Sequence, residues 1–261
     1  MDILGAIMLG IIEGLTEFLP ISSTGHLILT ARLLNIPQTE FVKTFEIAIQ
    51  SGAILSVLVL YGKTILSRPG LVKRVVVAFI PTALVGFVFY RFIKQYLLGN
   101  TEVVLISLFA GGIVLILIEL FFKNKPRDAQ ANQNQDFSTL SYEKAMIIGI
   151  FQAISVVPGV SRAAATIIGG MLLGLPRTSA VEFSFLLAIP TMFAATFLDL
   201  KKTSINLTGQ EWLLLLVGFM VSFLVATAAI KWLLFYVKKN TFVPFGIYRI
   251  AISIILFLII R

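Results

Sequence analysis

The sequence predicts an all-α, polytopic integral membrane protein. It is read as inverted-topology repeats, with two re-entrant (broken) helix pairs meeting near mid-membrane. Three observations predict this: the composition, a series of apolar runs of spanning length, and two interrupted apolar stretches that resemble each other. Of 261 residues, 58% are apolar and only 13% are Asp, Glu, Lys or Arg, about half the charged share of a soluble domain. Mean hydropathy is +0.97, which excludes a soluble globular protein. The absence of cysteine removes disulfides, thiolate metal sites and a cysteine nucleophile. The single histidine, His26, removes a zinc site built from several imidazoles. Residues 1–261 read as one transmembrane domain.

Taken in order, the first apolar stretch, 3–19, is interrupted by Glu13 and Glu17 and stops at Pro20. Acidic residues precede the first basic one, Arg32, so this stretch is expected to belong to the mature protein rather than to a signal peptide. A polar tip follows, and then a second short apolar piece, 27–36. Runs 44–61, 75–90 and 103–122 are the first three spans, since about 20 apolar residues cross a bilayer. The run 75–90 is short, but Arg74 and Arg91 at its ends can snorkel outwards. Residues 123–141, rich in Asn, Gln, Asp and Lys, read as an exposed polar loop.

The second half repeats the plan. The run 145–157 is too short to span and stops at Pro158-Gly159, and 163–175 follows it. Spans are then expected at 180–198 and 212–230, the latter extending to Val237. A sixth, 242–260, carries Pro244 and Arg249. Broken helices of this kind are tolerated in membranes where protein or a water-filled cavity covers the backbone.

Gly10-Ile11-Ile12-Glu13, then Pro20, then Ser22-Ser23, resembles Gly149-Ile150-Phe151-Gln152, then Pro158, then Ser161. Phe45-Glu46 has a counterpart in Val181-Glu182. This predicts repeat one at about 1–122 and repeat two at about 142–261. Loops 62–74, 123–144 and 237–241 hold ten basic residues, against five in loops 38–43, 91–102 and 199–211. The first group is therefore expected to be cytoplasmic, which places the two broken helices on opposite sides. The net charge of +8 becomes largely an orientation signal rather than a sign of nucleic acid.

Glu13 and Glu17 lie four apart and share one helix face. Two carboxylates there repel each other and lose hydration, and Mg²⁺ or Ca²⁺ taking oxygen ligands would compensate. Ser22-Ser23-Thr24 after Pro20 reads as a helix start with a hydroxyl cap, with Gly25 allowing close backbone approach. Ser161-Arg162, continuing to Thr166, reads the same way. Two helix N-termini facing each other make an anion site, and Arg162 adds a guanidinium suited to phosphate. His26 is the candidate nucleophile or general acid/base. Glu46 and Gln50 share a face of the next span, with Glu182 at the matching repeat position. These three are expected to line the cavity or to hold the tips by hydrogen bonds. Glu119 reads as an interfacial residue. The local physics also admits a transporter or flippase that binds an anion.

The string Glu13-Gly-Leu-Thr-Glu17-Phe-Leu-Pro20-Ile-Ser22-Ser23-Thr24-Gly25-His26 resembles the first signature of the undecaprenyl-diphosphate phosphatases of the BacA/UppP type. Pro158-Gly159-Val160-Ser161-Arg162 through Thr166 resembles the second. The likeness extends through Phe45-Glu46 and Glu182 to Ala188. The usual second motif continues Ser-Arg-Ser-Gly, where this chain has Ala163-Ala164.

The resemblance implies hydrolysis of undecaprenyl diphosphate to undecaprenyl phosphate and inorganic phosphate. That recycles the lipid carrier for peptidoglycan and cell-wall synthesis, and with it cell shape, and implies bacitracin resistance. It places Glu13, Glu17, Ser23, His26, Ser161, Arg162 and Thr166 in the active site. Glu13 and Glu17 would hold the cation; His26, Ser23, Glu17 and Arg162 would be catalytic; Ser22, Thr24, Gly25, Ser161, Arg162 and Thr166 would bind substrate. The attacking group is open between His26, Ser23 and water. The implied setting is multi-pass in the cytoplasmic (inner) membrane, with the site open to the outer side. Its partners would be a polyprenyl diphosphate lipid and membrane lipid, without nucleic acid, and a homodimer is compatible.

Overall fold

The computed structural model describes residues 1–89, 92–97, 100–123, 140–200 and 207–260. Every regular element among them is helical. The chain runs through α1 (Ile3–Thr16), α2 (Ser23–Leu33), α3 (Glu40–Ser67), α4 (Pro69–Val88) and α5 (Thr101–Lys123). After the polar stretch come α6 (Tyr142–Ala153), α7 (Arg162–Leu172), α8 (Arg177–Leu200), α9 (Gly209–Val237) and α10 (Val243–Ile260). Residues 124–139 of the expected polar loop lie outside the described residues, as do 201–206 of the loop before α9.

Five helices, α3, α4, α5, α8 and α9, are long and apolar enough to cross a membrane. They coincide with the first five expected spans. By contrast α1 has 14 residues, α2 and α7 have 11 and α6 has 12. At about 1.5 Å per residue, none of these four crosses a hydrocarbon core of about 30 Å alone. Local chemistry sets their starts. The Asp2 carboxylate accepts the Gly5 N–H (2.8 Å), Thr39 caps α3, and Thr208 with Glu211 forms a capping box on α9.

Short helices α1 and α6 each pack against a long helix of the opposite half, while α7 packs within its own. Helix α1 lies on α9 and α3, while α6 lies on α4 and α7 lies on α8; α5 pairs with α10. Small residues make the close approach possible, as is usual between membrane helices. A methyl group on Gly10 would sit 2.8 Å from the Gly218 carbonyl oxygen, and one on Gly149 would press still closer on that of Ala78. Gly10 and Gly149 are the two residues that the motif comparison aligned.

Two expectations are corrected. Residues 62–74 are not a loop: α3 continues to Ser67 and α4 starts at Pro69, leaving Arg68 between them. Proline suits a first helical turn because its missing N–H has no partner there anyway. Glu119, expected as an interfacial residue, does not face water but is buried in protein, 2% exposed. Arg177 of α8 donates to it through Nε (2.9 Å) and Nη2, and the Phe242 N–H donates at 2.9 Å. Sequence marks Glu119 as lying at a helix end, but only packing brings α8 and the start of α10 against it.

Removing one partner of a buried ion pair strands the other charge. Arg177→Ala is therefore expected to destabilise the folded protein by roughly 3 kcal/mol. Its thermal unfolding midpoint in detergent should fall clearly, and the double change with Glu119→Gln should recover part of the loss. An unchanged midpoint would show the pair to be dispensable.

Candidate active site

Helix α1 ends at Thr16, and five turn residues, 17–21, lead to Ser22 and the start of α2. In the second half a short 3₁₀ turn, Ile154–Val156, and Pro158-Gly159 lead to Ser161 and α7. The two tips share an unusual backbone. Ser22 has φ 71° and ψ 98°, and Ser161 has φ 74° and ψ 111°. Positive φ at a residue with a side chain costs on the order of 1–3 kcal/mol and persists only where the surroundings enforce it.

The braces differ between the tips. The Ser161 hydroxyl accepts the Ala164 N–H (3.2 Å), and its carbonyl accepts the Ala165 N–H (3.0 Å). The expected hydroxyl cap of α2 does not form at Ser22, whose side chain makes no capping bond. Its carbonyl instead meets His26 Nδ1 at 2.8 Å.

Both tips border one cavity of about 560 Å³. Glu17, Ser22, Ser23 and Thr24 line it from the first tip, and Ser155, Pro158, Gly159, Ser161 and Arg162 from the second. Gln50 of α3, Thr82 of α4 and Thr191 of α8 add polar wall, while Phe79, Ala83, Gly86, Phe87, Met192, Ala194 and Ala195 add apolar wall.

Across the cavity runs a chain of polar contacts between the halves. The Ser23 hydroxyl donates to Glu17 Oε2 (2.5 Å) and Arg162 Nη2 to Glu17 Oε1 (3.0 Å). Arg162 Nη1 donates to the Ser184 carbonyl (2.9 Å), and the guanidinium stands 5.6 Å from the centre of the Phe18 ring. Its Nε is buried without a hydrogen-bond partner. The ion pair is well shielded, with side chains 10% and 7% exposed, so its attraction is far stronger than in water. Glu13, 1% exposed, lies against Glu17 and near Glu46, and its Oε1 has no hydrogen-bond partner.

The sequence-predicted residues thus divide. Glu17, Ser22, Ser23, Thr24, Ser161, Arg162 and Gln50 share the cavity wall, with Glu13 behind Glu17. Thr166 sits behind Arg162, its hydroxyl 2.6 Å from that of Ser184. Gly25 faces away, and a methyl group on it would meet Leu108 at 2.8 Å. Glu182 is bonded by the Tyr61 hydroxyl (3.3 Å) on another face of α8. His26 is 6% exposed and does not border the cavity, because its ring turns towards α10, where Nε2 meets the Tyr248 hydroxyl at 2.7 Å.

Three features were not assigned from sequence. Arg249, 0% exposed, donates to the carbonyls of Pro20, Gly159 and Val160 at the tips and of Ser107 and Leu108 on α5. An ionisable residue inside a span was the available signal. Gln152, aligned with Glu13, donates to Thr82 (2.8 Å) and Thr191 (3.0 Å), each of which follows a proline within its helix, Pro81 and Pro190. The Thr191 hydroxyl in turn donates back one turn, to the Leu187 carbonyl (2.8 Å). Tyr248 had no sequence signal.

Residues 6–255 match the family described as bacitracin resistance protein BacA. The chain is similar to an undecaprenyl-diphosphatase of Sulfurihydrogenibium sp., 52% identical over 258 residues and covering 99% of each. It is similar to one of Aquifex aeolicus, 50% identical, covering 96% of this chain and 95% of the relative. A third, from Thermus thermophilus, is 47% identical, covering 95% of this chain and 94% of the relative.

Losing the Ser161 cap should cost about 1 kcal/mol. Ser161→Ala is expected to lower the unfolding midpoint in detergent, and Ser161→Gly to lower it less, since glycine accepts positive φ without strain. Equal losses would show that φ strain does not govern this turn.

Proposed function

The chain belongs to the bacitracin resistance protein BacA family, and from that premise we propose that it hydrolyses undecaprenyl diphosphate to undecaprenyl phosphate and inorganic phosphate. One observation carries the reading: Ser23, Glu17 and Arg162, drawn from both tips, form a single hydrogen-bonded chain on the wall of one cavity. A carboxylate-bound hydroxyl beside a guanidinium and two helix N-termini is suited to phosphoryl transfer, where positioning and charge stabilisation dominate. The apolar part of the wall suits a lipid chain. The transporter or flippase reading is not favoured, because the relatives are named as diphosphatases.

The geometry favours Ser23 over His26 as the attacking group. Ser23 Oγ would bond to the terminal phosphorus as its proton passes to Glu17, and the bridging P–O bond would break to release undecaprenyl phosphate. Water would then cleave the phosphoserine to inorganic phosphate. Protonating Glu17 removes the counter-charge of Arg162, so the guanidinium becomes available to the phosphoryl oxygens as negative charge develops there. Attack by a water held on Glu17 is the competing route, and rapid-quench trapping of a phosphoserine separates the two.

A hard divalent cation fits the residues present. Two carboxylates lie together, one with a buried oxygen that has no hydrogen-bond partner, beside a single guanidinium. Glu13 and Glu17 would hold Mg²⁺ or Ca²⁺. Such an ion, when bound, supplies Lewis-acid withdrawal of charge from the diphosphate oxygens.

The apolar helices make this a multi-pass membrane protein. The distribution of Lys and Arg supports inverted repeats, and membership of the family supports the cytoplasmic membrane and a cavity open to the outer side. A homodimer is compatible with this reading.

Purified protein in detergent is expected to release phosphate from undecaprenyl diphosphate, to lose that activity to a chelator and to regain it with Mg²⁺ or Ca²⁺. Arg162→Ala should lower turnover by about 10³-fold or more. Retained turnover would remove Arg162 from the mechanism, and no release by the wild type would return the chain to transport.

A further inference from the structure

We infer that Tyr248 is a positioning residue for this reaction, and that it acts through His26, which braces the Ser22 turn rather than attacking phosphorus. The inference rests on the phosphatase reading above.

Both ring nitrogens of His26 are engaged by the protein. Nδ1 is 2.8 Å from the Ser22 carbonyl oxygen, and Nε2 is 2.7 Å from the Tyr248 hydroxyl. A carbonyl can only accept, so Nδ1 carries the proton. In the neutral ring Nε2 is then the acceptor, and Tyr248 donates to it. The result is a directed relay from Tyr248 O–H to His26, and from His26 N–H to the Ser22 carbonyl.

The place where the relay ends explains its use. Ser22 and Ser161 share the same left-handed backbone, and each needs a brace. Ser161 has its own hydroxyl on the Ala164 N–H. Ser22 has no such cap, and the imidazole holds its carbonyl instead. Fixing that carbonyl fixes the plane of the peptide joining Ser22 to Ser23, and with it the Ser23 N–H, which points the opposite way. That N–H belongs to the unpaired first turn of α2, and Ser23 carries the hydroxyl bound to Glu17. Tyr248 is adjacent to Arg249, which holds the Pro20 carbonyl two residues before Ser22 (3.2 Å). Neighbouring residues of α10 therefore brace both sides of the first tip.

The lone histidine allows a direct test in the full-length protein in detergent. With ¹⁵N-labelled histidine, the wild type is expected to show a protonated Nδ1 and a hydrogen-bonded, unprotonated Nε2. Tyr248→Phe should move the Nε2 resonance towards that of a free imine nitrogen. It should also lower kcat for phosphate release about tenfold, with KM within about twofold. His26→Asn keeps a donor near the Nδ1 position but cannot accept a phosphoryl group, and it should keep at least about a tenth of wild-type kcat. His26→Ala, lacking the donor, should fall at least about tenfold below that.

Three results would each overturn the inference. They are His26→Asn as inactive as His26→Ala while still folded, a wild-type ring protonated on Nε2 alone, or Tyr248→Phe with spectrum and kcat both unchanged. If the wild type releases no phosphate, the phosphatase reading fails by itself. The spectra still decide the relay, with a shift on Tyr248→Phe supporting it and an unmoved resonance overturning it.

Discussion

A break between two packed helices leaves carbonyl groups that need donors where they are buried, and the architecture here depends on where they find them. Arg249 supplies them. Its guanidinium, 0% exposed, bonds the Pro20 carbonyl of one tip, the Gly159 and Val160 carbonyls of the other, and two carbonyls of α5. Arginine is suited to this because it offers five N–H donors in a planar fork and keeps its charge. Gly111 leaves room for it, since a methyl group there would collide with the guanidinium. One side chain thereby ties together two tips that are far apart in the chain, and the cavity between them follows from that attachment.

The charges that face the cavity obey a related constraint. Arg162 and Glu17 are nearly buried, so neither is stable without the other, and Ser23 completes the set by donating to the second carboxylate oxygen. The resting arrangement is held by internal pairing, while the proposed reaction would need the guanidinium directed at phosphate. Transfer of the Ser23 proton to Glu17, as proposed, would reconcile the two demands by weakening the internal pair as charge grows on the transferred group. Glu13 takes no part in this exchange, and its oxygen without a hydrogen-bond partner is in keeping with the proposal that it holds a cation together with Glu17.

Much of this was legible along the chain. The charged residues stand out against apolar runs, and the alternation of long spans with short interrupted stretches predicts which segments cross and which do not. Glu13 and Glu17 share a face by simple helical spacing, and Ser161-Arg162 announces a helix start. What spacing leaves open is which face meets which neighbour. His26 follows Ser22 by one helical turn, so it reads as part of the same polar cluster, yet its ring lies on the side of α2 that meets α10. Glu182 aligns with Glu46 in the motif comparison, but α8 turns it to Tyr61. Thr166 lies one turn after Arg162 and points behind it, to Ser184.

The sequence by itself determined a membrane-embedded helical protein with costly charges at two interrupted helices, and its motifs are long enough to mark the family. Composition and helical periodicity are local properties, set by how each segment meets lipid or water. The tertiary structure alone decided that Ser23, Glu17 and Arg162 form one chain, that His26 is held by Tyr248, and that Arg249 joins the tips. Each of these depends on contacts between residues far apart in the chain, 89 positions or more, or on which way a helix is rotated. Both are settled by close packing of whole helices, in which small residues such as Gly10 and Gly149 decide what can come together.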